Sequence, residues 1–359
     1  MQIRLKSMRV VFTVALLLWS GTGPLLANVD KCGDLVRAIR ALPQTAILQI
    51  PDNRILEPLR PHMDSGAVAF DLQMNPHVRR LVETQKYLVV TARGKVISNA
   101  LHEIGILREE EFREVKEGSG NSIDLDLFDQ FYDHIIVYDK EAKLIVGAYR
   151  QARLLEALRF GGSPPFYSST LFTFDKNYIE RKAPHTIELG RAIVRKEYQG
   201  TEVFMLLWKG IAQYILNSDP DYYLLEGSVS ISNAYSDLAK QIMLLYLKKK
   251  QNMELAKYLI PNVAPDFKIV DEEELKPLVE SISDFSELSE IIKALDGKPV
   301  PQLLSHYDGL GAEILNFNLD RQFGNSIDVY VSIDLRKTPS TFVRRFFGPA
   351  GVKRFKSQP

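Results

Sequence analysis

The stretch Thr186-Ile187-Glu188-Leu189-Gly190-Arg191-Ala192-Ile193-Val194-Arg195 sets two opposite charges inside an apolar, β-branched run. A carboxylate and a guanidinium in such a strand are costly to bury unless they pair or do chemistry. Strict alternation puts positions 188 and 191 on opposite faces, and Gly190 between them predicts a bulge that brings the two together. The next segment, Lys196-Glu197-Tyr198-Gln199-Gly200-Thr201, enters a helical pattern over residues 202–216, with Phe204, Leu207, Trp208, Ile211 and Ile215 on one stripe. A loop entering a helix presents unpaired backbone N–H groups and the positive end of the helix dipole, which together hold a phosphate. Gly200 is where backbone can approach a ligand closely. Taken alone, these spacings fit equally a structural ion pair and an ordinary strand–loop–helix joint.

Other chemistries are poorly provided for. The chain has 359 residues, 45 Lys and Arg against 45 Asp and Glu, and 45% hydrophobic residues, so it buries a real core and carries no charge excess for nucleic acid. One cysteine excludes a disulfide scaffold and a Cys-rich metal site, and the 6 histidines include no HExxH pair. Neither a GxSxG elbow, a GxxxxGK[ST] loop nor a GxGxxG fingerprint occurs. His134 and Asp139 satisfy an HxxxxD spelling, but strand alternation sends them to opposite faces, where the acid does not polarise the imidazole. Trp208 sits on the helix stripe and reads as core.

The elements that position these residues follow from periodicity. Residues 30–42 and 76–86 read as short helices around a Pro-punctuated stretch, and Leu101, Ile104, Leu107 and Phe112 mark a helix over 99–115. Residues 134–139 and 144–150 read as a hairpin around Lys140-Glu141-Ala142-Lys143. Strands are expected at 186–195, 222–230, 312–317 and 327–335, a helix at 235–247, and charged, partly helical chain at 251–300. A hairpin, then strand–helix–strand–helix, then late strands predicts a single α/β or α+β domain.

The ends are distinctive. Arg4, Lys6 and Arg9 precede an apolar run from Val10 to Trp19, and Leu25-Leu26-Ala27 resembles a cleavage site, so residues 1–28 read as a signal-like or anchor segment. Residues 29–85 read as an N-terminal extension, 86–335 as the main domain with an insertion at 251–300, and 336–359 as a tail. After Asp334 no acid follows, while Arg336, Lys337, Arg344, Arg345, Lys353, Arg354 and Lys356 accompany Phe342, Phe346, Phe347 and Phe355. Cations beside exposed aromatic rings predict docking on an anionic membrane surface. Rings that pack on the domain are the other reading.

Glu188-Leu189-Gly190-Arg191, Glu197-Tyr198-Gln199 and Leu206-Leu207-Trp208-Lys209-Gly210-Ile211-Ala212 resemble the bacterial hemolysin-like acyltransferases of the GNAT superfamily, which include ornithine and glycine lipid N-acyltransferases. Glu103-Ile104-Gly105, Asp124-Leu125-Asp126, Gly147-Ala148-Tyr149-Arg150, Phe166-Tyr167-Ser168-Ser169, Ser228-Val229-Ser230-Ile231-Ser232-Asn233 and Tyr307-Asp308-Gly309-Leu310-Gly311-Ala312 continue the pattern in order over about residues 80–350. The skeleton of Arg108, Phe112, Asp126, Asp129, Arg150, Glu188 and Arg191 is also similar to acyl-homoserine-lactone synthases, which take acyl groups from acyl carrier protein.

The resemblance implies a GNAT acyltransferase fold: a mixed central sheet flanked by helices, whose parallel strands 186–195 and 222–230 splay to admit the pantetheine arm of a thioester. Arg195, Gln199, Gly200 and Thr201 would hold the donor's phosphate. The loop lacks the further glycines of the usual acetyl-CoA loop, which favours an acyl carrier protein donor over acyl-CoA. No permanently bound cofactor is implied, and the donor is a co-substrate. Amide formation needs a base to free the amine and donors to hold the oxyanion. Glu188 is the expected base, directly or through water, Arg191 orients it or clamps a substrate carboxylate, and Ser228 supplies a donor. Arg108, Phe112, Asp129 and Arg150 are expected at the acceptor, Arg108 and Arg150 as alternative carboxylate clamps. Tyr235 reads as core-facing. The expected activity is long-chain N-acylation of a small amino acid, in lipid biosynthesis at the cytoplasmic face of a membrane. The alternatives are an acyl-CoA-dependent small-molecule acyltransferase and an exported, non-catalytic lipid-binding protein.

Overall fold

Leu88-Val89-Val90, Ile135-Ile136-Val137 and Leu144-Ile145-Val146 are apolar on successive residues, the pattern of strands covered on both faces. They lie in the middle of a broad sheet. The computed structural model describes residues 25–44, 52, 54–159, 162 and 164–356. Its strands are β1 (Arg79–Glu83), β2 (Tyr87–Arg93), β3 (Asp133–Asp139), β4 (Leu144–Arg153), β5 (Phe172–Phe174), β6 (Thr186–Val194), β7 (Leu224–Ile231), β8 (Leu259–Pro261), β9 (Glu313–Asp320) and β10 (Ser326–Asp334). Eight of them form one sheet in the order β1-β2-β3-β4-β6-β7-β10-β9, and β5 pairs with β8 apart from it. Among the described residues, β6 and β7 are the one parallel strand pair within the large sheet.

The helices in chain order are α1 (Leu25–Ala41), α2 (Ser65–Gln73), α3 (Ser98–Glu114), α4 (Leu154–Arg159), α5 (Lys176–Lys182) and α6 (Val203–Leu216). After them come α7 (Asp237–Lys249), α8 (Met253–Ala256), α9 (Glu272–Glu280), α10 (Phe285–Asp296), α11 (Gln302–Gly309) and α12 (Ser340–Lys356). α6 covers one face of β1–β4, while α3 lies against β4 and β6. Val203, Leu206, Leu207, Trp208, Ile211 and Ile215 of α6 are all buried, as a helix sandwiched between sheet and helix requires. Trp208 is core, edge-on to Phe342 at 5.3 Å between ring centroids. The mixed α/β architecture expected from the sequence is the one observed.

Several boundaries differ from expectation. Residues 76–86 hold no helix: β1 is a half-exposed edge strand, so its apolar alternation is weak. β2 escaped the periodicity reading because it is apolar on both faces and alternates nowhere. The 29–85 segment is built into the domain. β1 pairs with β2, and buried Asp71 of α2 accepts the N–H groups of Asn99 at 2.7 Å and Ala100 at 3.0 Å. That carboxylate caps α3 from outside its own chain segment, a contact worth about 1 kcal/mol. α1 packs on α9 and α10 through Leu35, Val36 and Ile39, so extension and insertion share one core.

The tail is also part of the core. Phe346, Phe347 and Phe355 of α12 are buried, which removes the aromatic half of a membrane-docking surface. Arg354 donates to the carbonyls of Ile215 at 2.8 Å, Asp219 at 2.5 Å and Tyr222 at 2.9 Å, satisfying groups that the end of α6 leaves open. Among the described residues no helix is long and apolar enough to cross a membrane. The expected leader, apart from its last residues in α1, lies outside the described residues.

Candidate active site

β6 and β7 are paired at Thr186–Leu224, Ile187–Leu225 and Glu188–Glu226, and nowhere beyond. At the next position the backbones still touch: a Cβ on Gly227 would lie 2.1 Å from the carbonyl oxygen of Leu189. Past that contact the strands part. A cleft of about 220 Å³ opens between them, lined by Leu189, Gly190, Arg191 and Ala192 on one side and Ser228, Val229 and Ser230 on the other. Phe112, Tyr149, Tyr167, Phe323 and Asp328 complete its walls with the start of α11. The strands are parted, and among the described residues the hydroxyl oxygen of Ser228 at the cleft has no hydrogen-bond partner.

The expected bulge is present. Arg150 pairs with Gly190 and Ala148 with Ile193, so Tyr149 alone faces both Arg191 and Ala192. Arg191 takes a left-handed φ of 53°, a conformation that costs a residue bearing a Cβ about 1–3 kcal/mol. Its side chain repays the strain. Nη1 donates to the Tyr167 hydroxyl at 2.8 Å, Nε lies 3.1 Å from Asp124, and the guanidinium stacks over Tyr167 and Phe323. Burial opposes the charge, but Asp124 and Tyr167 hold the guanidinium protonated.

The bulge does not join Arg191 to Glu188. The Tyr132 hydroxyl donates to Glu188 Oε2, and the Ser168 N–H donates to Oε1 at 2.7 Å. Tyr167 N–H then donates to the Tyr132 hydroxyl at 3.0 Å. Glu188 therefore clamps the N-terminal side of the 167–170 turn while Arg191 holds its Tyr167 side chain. Each Glu188 oxygen accepts from one protein donor, the residue is buried, and it does not line the cleft. Glu188 thus ties the 167–170 turn to β6 and reaches the cleft only from behind that turn.

Arg108, Asp129 and Arg150 form a sealed ionic layer behind the bulge. Arg108 Nη1 lies 2.7 Å from Asp129, and Arg150 Nη1 lies 2.7 Å from both oxygens of Asp126 and 3.1 Å from Asp129. Burial alone would raise the Asp129 carboxyl, but Arg108 and Arg150 overrule it and hold it well below the usual carboxylate range. Both arginines are essentially inaccessible, and of that expected group only Phe112 lines the cleft. His134 packs in the same layer, with Nε2 2.9 Å from the Asp129 carbonyl, while Asp139 accepts the N–H groups of Glu141 and Ala142. The two have separate partners, as strand alternation predicts. Tyr235 points away as well, its hydroxyl donating to the Pro299 carbonyl at 2.5 Å.

The expected phosphate loop spends its side chains on the protein. Arg195 pairs with Glu103 at 3.4 Å, Gln199 donates to the Val194 carbonyl at 3.2 Å, and Thr201 donates to the Tyr198 carbonyl at 2.6 Å. Gly200 turns the chain with φ 76°, and the N–H of Lys196 goes to Glu111 at 2.8 Å. Glu202 heads α6 without a side-chain cap of its own, and the Val203 N–H reaches Thr201 Oγ1 at 3.4 Å.

A second cavity of about 540 Å³ shares Tyr167, Arg191 and Phe323 with the cleft. Asp124, Asp126, Asn262, Asn318, Asp320 and Arg321 contribute its polar groups. Its floor continues a polar sheet face: Glu226, Ser228 and Ser230 on β7, Asp328, Tyr330 and Ser332 on β10, and Asn316, Asn318 and Asp320 on β9 alternate with apolar residues facing the core. That period-two signal was visible in the sequence but is ordinary for any half-solvated sheet, so it did not single these residues out. Behind the fork, Glu226 accepts from Tyr178, Tyr330 and Ser332 at 2.9, 3.1 and 2.9 Å.

Comparison with known proteins agrees with this geometry. Residues 107–209 match the family described as acetyltransferase (GNAT) domain. The chain is 32% identical over 246 residues to a glycine N(alpha)-acyltransferase of Bacteroides thetaiotaomicron, spanning 64% of this chain and 69% of that one. It is 28% identical over 249 residues to the glycine N(alpha)-acyltransferase of Phocaeicola vulgatus, spanning 64% and 72%. A shorter stretch of 96 residues is 35% identical to an L-ornithine N(alpha)-acyltransferase of Brucella abortus, spanning 25% and 33%. The parted parallel pair inside a mixed sheet is the feature that the sequence resemblance implied. The chain belongs to the GNAT acyltransferases, and it is an enzyme that transfers acyl groups.

Proposed function

We propose that the protein transfers a long-chain acyl group from the pantetheine thioester of acyl carrier protein to the α-amine of a small amino acid. The observation that carries this reading is the parting of β6 and β7 just past the Glu188–Glu226 rung, with a polar cavity adjoining the cleft at Arg191. A pantetheine arm laid in the cleft replaces the missing strand pairing by bonding to the open backbone edges. Its phosphate would meet the uncapped start of α6. Acyl carrier protein presents one phosphate there.

The acceptor reading rests on the second cavity and on relatives named for glycine and ornithine. An amino acid carries one negative and one positive group. Arg191 offers a cation at the junction of the two cavities, and Asp320 and Asp328 offer carboxyl groups beside it. Ser228, whose hydroxyl has no partner among the described residues, is the donor this reading assigns to the tetrahedral oxyanion. Purified protein is to be incubated with acyl carrier protein and CoA thioesters of graded chain length and a panel of amino acids, with products read by mass spectrometry. N-acyl amino acid formed faster from the carrier-protein donors supports the reading. O-acylation, or turnover with CoA donors only, overturns it.

A further inference from the structure

Glu188 accepts from Tyr132 and Ser168 and does not line the cleft, so a carboxylate in the cleft wall itself stands closer to the acceptor's proton. Among the residues lining the cleft, Asp328 is the one carboxylate. It stands on β10 opposite Ser230 of β7, on the sheet face where the cleft opens. Asn318 donates to its Oδ2 at 3.2 Å, and among the described residues no hydrogen bond engages Oδ1. The other titratable groups of the cleft are engaged or cationic: Tyr149 bonds to Tyr307, and Tyr167 accepts from Arg191.

We propose that Asp328 is the catalytic base that takes the proton from the acceptor ammonium at the cleft, with Asn318 as the positioning residue that aims its carboxylate. This rests on the reading of the acceptor as an amine. The ammonium N–H bond breaks toward Asp328, and the freed lone pair forms the C–N bond at the thioester carbonyl. The C–S bond then breaks and the thiolate departs. Of the three ammonium protons, one stays on the amide, one ends on the thiol, and one leaves to solvent through Asp328.

The surroundings tune this group in the direction a base requires. The charged side chains facing it are Asp320 from β9, Glu117 from the segment after α3, and Arg191 from β6. Burial, Asp320 and Glu117 push the Asp328 carboxyl well above its usual range, against the pull of Asn318 and Arg191. Glu117, buried and bonded to Ser230, is itself pushed up to about 7 by its burial. A carboxylate raised toward neutrality accepts a proton from an ammonium group far better than one at its ordinary value.

The test is Asp328→Asn in the full chain, with wild type assayed alongside on the same thioester and amino acid across pH 5–10. The expected loss in kcat/KM for the amine at pH 7 is about 100-fold or more, with KM for the thioester unchanged. The residual activity should climb tenfold per pH unit as the free amine supplies itself. Glu117→Gln removes a like charge, so the acid limb of kcat/KM moves to lower pH. Asp328→Asn within threefold of wild type, with the same acid limb, overturns the assignment and leaves the acyltransfer reading standing. Wild type forming no amide removes both. If Asp328→Asn does not fold, the Glu117→Gln limb decides, and an unmoved limb overturns the assignment.

Discussion

Gly227 is the hinge-pin of the fork, and replacing it with alanine tests whether the parting of β6 and β7 is what the enzyme works with. The new Cβ would lie 2.1 Å from the Leu189 carbonyl oxygen, where real contacts stop at 3.0 Å, a shortfall of about 0.9 Å. The obstructing atom is backbone in the strand that carries Arg191, so relief comes only by moving one strand against the other. With pairing limited to three rungs, the movement goes into the fork. Overpacking of this kind costs about 1–3 kcal/mol, and a reacting group displaced by about 1 Å costs about 100-fold in rate. Gly309→Ala is the control, since nothing lies within 4 Å of its added Cβ and its backbone is helical. Urea unfolding and kcat with a fixed thioester and amine give the two readouts. Gly227→Ala with wild-type unfolding and kcat within threefold would refute the claim that fork geometry sets the reaction.

Asp129→Asn is expected to destabilise by about 3–5 kcal/mol, because Arg108 loses its ion-pair partner in a sealed site. Arg108→Met in the Asp129→Asn background should recover part of that loss in urea unfolding. A double variant less stable than Asp129→Asn alone would show that the pair does not act as a pair. His134 makes stability depend on pH: burial and Arg108 lower its imidazole from the ordinary 6.5 to about 4. The unfolded chain therefore binds a proton between those values that the folded chain refuses, so stability falls as pH drops from 6.5 toward 4, by about 3 kcal/mol. Unfolding free energies at pH 7 and pH 5 measure it, and His134→Gln should flatten the slope. An unchanged slope in that variant would remove His134 as its cause.

The sequence by itself determined the order and kind of most elements: the β3–β4 hairpin, strand β6, helix α6 and the late pair β9–β10 are local patterns of apolar spacing and turn residues. It also showed that Glu188 and Arg191 sit where charge is expensive, and that residues in order along the chain resemble one family of acyltransferases. What the tertiary structure decided is where those charges point. Strand alternation and a bulge specify faces, but not which donors fill Glu188, and Tyr132 and Ser168 come from segments 56 and 20 residues away. The same limit applied to the tail, where aromatic spacing is identical for rings that meet a membrane and rings that meet α6. Asp328 became legible only when β10 took its place beside β7, because a carboxylate's proximity to a cleft is a property of strand pairing across a hundred residues of chain.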